Sequence, residues 1–167
     1  MASTVAEMRP QTLHATVYLA AYMLRHKERV ADYFRKDHDS LVRPNLRISK
    51  MTLTDRLAEA AYHPALYADC SDADVALARS LLTPEPSLPA LTRLRLSEAK
   101  HGRVPRHYIE LTQDRAVSPA LQRAMIANSP CQTVRSIDAS HSAYFSRPQE
   151  LAGAIMAITS TPGRSEA

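Results

Sequence analysis

The chain has 167 residues, 45% of them apolar and 23% charged, a balance that fits one soluble globular domain and excludes a disordered polymer. Its formal charge of +4 comes from 21 Lys and Arg set against 17 Asp and Glu. These cations are scattered rather than gathered into a stripe, so nucleic acid is not an expected partner.

Thr4 with Glu7 three residues later is a capping-box pattern, and it predicts a short opening helix that stops near Pro10. The same stretch is polar and carries Glu7 and Arg9, unlike a signal peptide, and no apolar run approaches the roughly 20 residues that span a bilayer. A cytoplasmic protein without a membrane partner is expected. Residues 15–22, ATVYLAAY, form an apolar run with β-formers at its centre, which predicts a central strand buried on both faces.

From 25 to 40 the chain is charged and helix-permissive, 43–54 contains Pro44 and mixed alternation, and 55–62 has helical character; this region is read as an insertion. Ser71 with Asp74 caps a predicted helix that runs to about Leu82 and ends at the proline-rich connector TPEPSLP, 83–89. A strand at 104–112 (VPRHYIELT), a helix from Ser118 to Asn128 with Pro119 in its first turn, a strand at 133–137 (TVRSI) and a helix at 147–158 follow. Strands alternating with helices predict parallel βαβ units. The tail after Ser160 is expected to be disordered.

Cys70 and Cys131 stand in no C-x-x-C pattern, so both are expected to be reduced and structural. Only three glycines occur, about a quarter of the usual share of about 7%. Gly102, Gly153 and Gly163 stand alone, which leaves no phosphate loop, dinucleotide fingerprint or glycine-flanked nucleophile turn.

In an open parallel sheet, functional side chains gather in the loops that leave the carboxyl ends of strands. Asp114 falls two residues after Thr112, and His141 falls four after Ile137. Adjacent strands would set these loops side by side. From spacing alone, an acid–imidazole pair and a plain turn-forming or helix-capping aspartate both stand as readings. Asp138 is the competing acid. His26, His38, His63 and His101 show no metal-ligand spacing and are expected at the surface, and neither a metal nor a cofactor is expected. Tyr18, Tyr22, Met23, Tyr62, Tyr67, Met125 and Met156 are expected in the core.

The run GRVPRHYIELTQDRAVSPALQRAM at 102–125, continued by SPCQTVRSIDASHSAYFSRPQELA at 129–152, resembles the α/β-hydrolase superfamily. The resemblance is to the branch of plant methylesterases, hydroxynitrile lyases and bacterial esterase-like relatives. VAEMRPQTLHATVYLAAYML at 5–24 is similar to the helix and strand that follow the family's nucleophile, and LYADCSDADVALARSLLTPEP at 66–86 is similar to the end of its cap. The resemblance implies an α/β fold that is the C-terminal part of an α/β-hydrolase. It would comprise three parallel strands with flanking helices, and a mainly helical cap over about 25–90 of one incomplete domain, 1–160.

By position, Asp114 in TQD matches the family's triad acid and His141 in ASHS its triad histidine, while Asp138 sits at an ordinary strand-end position. Ser142 stands where the lyase branch has a lysine, which favours ester chemistry over cyanohydrin cleavage. The parent activity implied is hydrolysis of small carboxylic esters, with residues 62–67 able to line an acyl pocket. The family's G-x-S-x-G turn and oxyanion loop are not in the sequence. Met1 is therefore read as an internal methionine or as the edge of a truncated gene, and the chain alone as inactive. Ser140 and Ser142 point apart without a donor nest, and Ser3 is read as a cap, so none is taken as a substitute nucleophile. The alternatives are a non-catalytic module for small-ligand binding or subunit interaction, and complementation by a separate amino-terminal fragment. A bare outer edge on the first strand would favour a homodimer through that edge.

Overall fold

The structure, a computed structural model, describes residues 1–160, so the expected disorder of the tail lies outside the described residues. Along the chain come α1 (Ala2–Met8), β1 (Thr16–Leu19), α2 (Val30–Lys36), α3 (Val42–Asn45), β2 (Leu46–Ser49) and β3 (Thr54–Leu57). They are followed by α4 (Asp72–Leu81), β4 (Glu85–Pro86), α5 (Leu88–Leu91), β5 (Arg106–Leu111), α6 (Pro119–Asn128), β6 (Thr133–Ile137), α7 (Ala143–Ser146) and α8 (Pro148–Thr159). The main sheet is parallel in the order β1-β5-β6, as the strand and helix rhythm of the last third implies.

β5 is the middle strand and the one buried on both faces, because Ile109 and Leu111 alternate with Tyr108 and Glu110. On one face Ile109, Leu111 and Ile137 pack with Ala143, Leu151 and Ile158 of the last helices. On the other face Tyr108 packs with Tyr18 and Met23, and the two tyrosine rings stack at 6.4 Å. Burial of these side chains, at about 25 cal/mol per Å² of apolar surface, is what holds helices to both sides of so small a sheet. Among the described residues β1 pairs only with β5, and its residues alternate between buried and half-buried where burial on both faces was expected.

The apolar run 15–22 yields only four strand residues because Ala20 takes φ 40, in the left-handed region. Its amide still donates to the Ile109 carbonyl at 2.9 Å, and the chain then turns away. The next β1-facing groups of β5 would be left unpaired. The amide of Gln122, fully buried on α6, replaces the missing strand residue: its Oε1 accepts from Leu111 N at 3.1 Å and its Nε2 donates to Leu111 O at 3.3 Å and Val117 O at 2.7 Å.

The opening helix forms, but not by the expected box. It starts at Met1 with no side-chain cap, and Thr4 lies inside it. Glu7 is drawn into a tertiary tie instead, accepting from Ser97 N at 2.8 Å, Ser97 Oγ at 2.9 Å and His101 N at 3.3 Å. Ser3 is likewise no cap; its hydroxyl shares a 2.8 Å bond with Tyr18 Oη.

Between β1 and β5 the inserted segment is less helical than expected. β2, β3 and β4 form an antiparallel sheet, with β3 where a helix over 55–62 was expected and β4 inside the proline-rich connector. Leu53, at φ 52, lies at the turn joining β2 and β3, and two short helical turns at 59–61 and 62–66 follow the sheet. The helix expected after Ser71 is present as α4, with the reciprocal bonds Asp74 N to Ser71 Oγ and Ser71 N to Asp74 Oδ2, both at 3.2 Å. Met156, expected in the core, is 65% exposed on α8, and His101, expected at the surface, is buried.

Gln122→Leu keeps the volume but strands both backbone groups of Leu111, and is expected to lower unfolding free energy by about 2 to 4 kcal/mol in urea titration. Bonds from Ser97 hold the Glu7 carboxyl below its ordinary 4.5. A lowered carboxyl contributes stability that is complete above the unfolded value and is lost as pH falls through the folded one. The stability gap between the native chain and Glu7→Gln is therefore expected to be full at neutral pH and to shrink below 4.5, read from urea midpoints at several pH values.

Candidate active site

The β5–β6 pairing continues beyond both strands. Leu111 lies opposite Ile137, and then Thr112 N donates to Ile137 O and Gln113 N to Ala139 O, each at 3.1 Å. Two loops therefore leave the carboxyl edge side by side. Asp114 stands on one and His141 on the other.

The Asp114 side chain is fully buried and divides its two oxygens. Oδ1 accepts from Ala116 N at 2.7 Å and Val117 N at 3.0 Å, the turn-forming role open from sequence. Oδ2 meets His141 Nδ1 at 2.8 Å and is touched by Gln122 Nε2 at 3.4 Å. Both readings of this aspartate thus hold at once. With Nδ1–H donated to the carboxylate, the neutral ring carries its lone pair on Nε2. The ring is 30% exposed, and among the described residues nothing hydrogen-bonds Nε2.

Asp138, the competing acid, is exposed and faces elsewhere. It accepts from Thr112 Oγ1 at 2.6 Å and Gln113 Nε2 at 2.9 Å, bonds that hold its carboxyl below the usual range. Ser140 and Ser142 are buried and engaged, the first with Asp69 and the second with Tyr144 Oη at 3.1 Å. Tyr62 and Tyr67 are buried with Val75 and Ala78, and Tyr67 lies 6.1 Å from the Phe145 ring, so both are core residues as expected. His26, His38 and His63 are exposed. Among the described residues no group of His, Cys, Asp and Glu is placed to hold a metal ion, and no helix is long and apolar enough to cross a membrane. Cys70 and Cys131 are both free thiols.

Sequence reasoning missed the residues that brace the two loops. Asp37, Ser40 and Leu41 of the inserted segment grip the acid loop: Ser118 N donates to Asp37 Oδ2 at 2.9 Å, Ser40 Oγ to Ala116 O at 2.7 Å and Leu41 N to Arg115 O at 2.8 Å. Asp69 and Cys70 grip the histidine loop. Gln122 supports the acid from below. Neither Asp69 nor Gln122 follows any local sequence rule, since an inward polar residue on a helix or loop has no periodic signature. A cleft of about 820 Å³ between α2 and α6 and another of about 420 Å³ beside His101 and Arg106 lie apart from the pair, since neither lining includes Asp114 or His141.

No protein-family model matches the chain. The chain is 33% identical over 159 residues to "Putative methylesterase 11, chloroplastic" of Arabidopsis thaliana, covering 89% of this chain and 40% of that protein. It is 29% identical over 175 residues to "Putative methylesterase 15, chloroplastic" of the same plant, covering 96% of this chain and 38% of the relative. The chain therefore spans about 40% of the length of the curated relatives it matches. Among solved structures, a methylesterase from Arabidopsis superposes with a TM-score of 0.82 at 19% identity, covering 96% of this chain and 65% of that one. A pyrethroid hydrolase from Sphingobium faniae superposes with a TM-score of 0.81 at 20% identity, covering 98% and 67%. With its parallel sheet and flanking helices the chain has the fold of a part of an α/β-hydrolase, and over that part its sequence is similar to methylesterases.

Proposed function

We propose that Asp114 and His141 are the acid and the general base of a serine hydrolase acting on small carboxylic esters. The observation that carries this reading is the 2.8 Å bond from His141 Nδ1 to a buried carboxylate, made by loops at the carboxyl ends of adjacent parallel strands. The methylesterase names of the relatives support the ester chemistry.

In this reading the Nε2 lone pair takes the proton of an attacking serine hydroxyl as its oxygen bonds to the ester carbonyl carbon. Asp114 stays ionised, keeps the ring in the Nδ1–H tautomer and meets the imidazolium charge. Nε2–H then protonates the departing alcohol, and water repeats the sequence on the acyl-enzyme. The burial of Asp114 strengthens this effect, since a charge interaction grows as the local dielectric falls.

The serine and the oxyanion donors are assigned to a segment beyond these 167 residues. Ser140 and Ser142 have their hydroxyls committed to Asp69 and Tyr144, Ser3 to Tyr18, and no G-x-S-x-G motif occurs in the sequence. The 167 residues alone are accordingly inactive in this reading. Expressed with its upstream codons, the protein is expected to hydrolyse a chromogenic short-chain ester, and His141→Ala to lower kcat at least about a thousand-fold. Full activity in that variant overturns the assignment.

A further inference from the structure

We propose that Asp69 is a positioning residue for His141, tying the inserted segment to the loop that carries the imidazole. The inference rests on the reading of Asp114 and His141 as a proton-handling pair and adds a second carboxylate to it. Asp69 lies between the turn at 62–66 and α4, 71 residues before Ser140 in sequence. Its carboxylate takes both donors of Ser140, the residue directly before His141. Oδ1 accepts from Ser140 Oγ and Oδ2 accepts from Ser140 N at 3.2 Å. Arg147, between α7 and α8, approaches Oδ2 at 4.0 Å.

The neighbouring residue fixes the other side of the histidine. Cys70 Sγ donates to the carbonyl of Ser142 at 3.9 Å, and burial pushes the thiol up to about 11, so it remains the protonated donor this contact requires. Consecutive residues of the inserted segment therefore hold the residues before and after His141. Burial raises the Asp69 carboxyl, but the Ser140 bonds outweigh it and hold the group below its usual value, so it is ionised at neutral pH.

The geometric consequence concerns the ring. His141 bonds Asp114 through Nδ1 alone, so its orientation depends on where the backbone of 140–142 is placed. On the sheet side that backbone is fixed only as far as Ala139, by Gln113 N. Beyond this point Ser142 O accepts from Phe145 N at 2.9 Å and Ser146 N at 3.3 Å within its own turn of helix, and the Asp69 and Cys70 contacts are what tie that backbone to the inserted segment.

The ring's tautomer reads this placement directly and needs no turnover. A histidine on a carboxylate through Nδ1 holds its proton there, whereas a free imidazole in water prefers Nε2–H. Long-range ¹H–¹⁵N spectra of the neutral ring in the 167-residue chain are expected to show the Nδ1–H form. Asp69→Asn is expected to shift the tautomer ratio toward Nε2–H by about ten-fold, the scale of one lost charge-assisted bond. Val75→Ala, which loosens the cluster packed beside Cys70 but leaves every hydrogen-bonding group of Asp69 and Ser140 in place, is expected to leave the ratio unchanged at a comparable loss of Tm. If Asp69→Asn does not fold, Ser140→Ala removes one of the two donors and carries the same expectation in direction. A ratio within about two-fold of the native chain, or an equal shift in Val75→Ala, overturns the proposal. Retained esterase activity in His141→Ala would instead remove the hydrolase reading and leave the tautomer result standing.

Discussion

The candidate site depends on one backbone feature, the hydrogen-bonded pairing of β5 with β6 continued past the last strand residues. Parallel neighbours are held about 4.8 Å apart, and the two bonds beyond Leu111 and Ile137 carry that spacing into the loops. Asp114 and His141 therefore begin from backbone positions already within reach. Their side chains need only short rotations to meet, so little conformational entropy is lost when the bond forms. β1 ends too early to supply this support on the other side, and Gln122 fills the resulting gap with a side-chain amide. One residue thus completes the sheet and touches the acid.

A second constraint comes from the inserted segment, which holds both loops from the opposite direction to the sheet. Asp37, Ser40 and Leu41 grip 115–118, while Asp69 and Cys70 grip 140–142. Most of these bonds end on backbone groups of the loops, so they fix the course of the chain rather than any one side chain. The insertion is therefore part of what sets the distance between acid and imidazole, besides being a feature of the surface. Its own small sheet, β2-β3-β4, and the Tyr62, Tyr67, Val75, Ala78 cluster give it enough internal packing to act as a brace.

The parts legible in the sequence were those governed by local rules. Ser71 with Asp74 three residues on is a capping box, Pro119 after Ser118 opens a helix, and TVRSI at 133–137, with β-branched residues at three of its five positions, reads as a strand; all three appear in the structure at the expected places. Thr4 with Glu7 had the same local signature and failed, because Glu7 finds three donors in the 97–101 turn that no neighbouring residue can match. β3 was hidden for a different reason: TDRL is not intrinsically strand-like, and pairing with β2 and β4 decides its conformation. The proximity of Asp114 and His141 could be anticipated from loop position. Their bracing by Asp37, Asp69 and Gln122 is wholly tertiary and left no periodic trace.

Three aspartates lie near the histidine loop, and their donors explain why only one faces the ring. Asp138 is nearest in sequence, yet Thr112 Oγ1 and Gln113 Nε2 hold it at the exposed surface, away from the imidazole. Asp69 is turned toward Ser140 by the backbone N–H and hydroxyl it accepts. Asp114 has one oxygen locked in its own turn, which leaves the other directed at Nδ1. Because each carboxylate has its own donors, none competes for another's partner, and the cost of burying the charge on Asp114 is offset locally by two backbone N–H groups, the Gln122 amide and the imidazole. An acid fixed in this way does not need to reorganise when the ring gains a proton, which is the condition for it to stabilise an imidazolium as it forms.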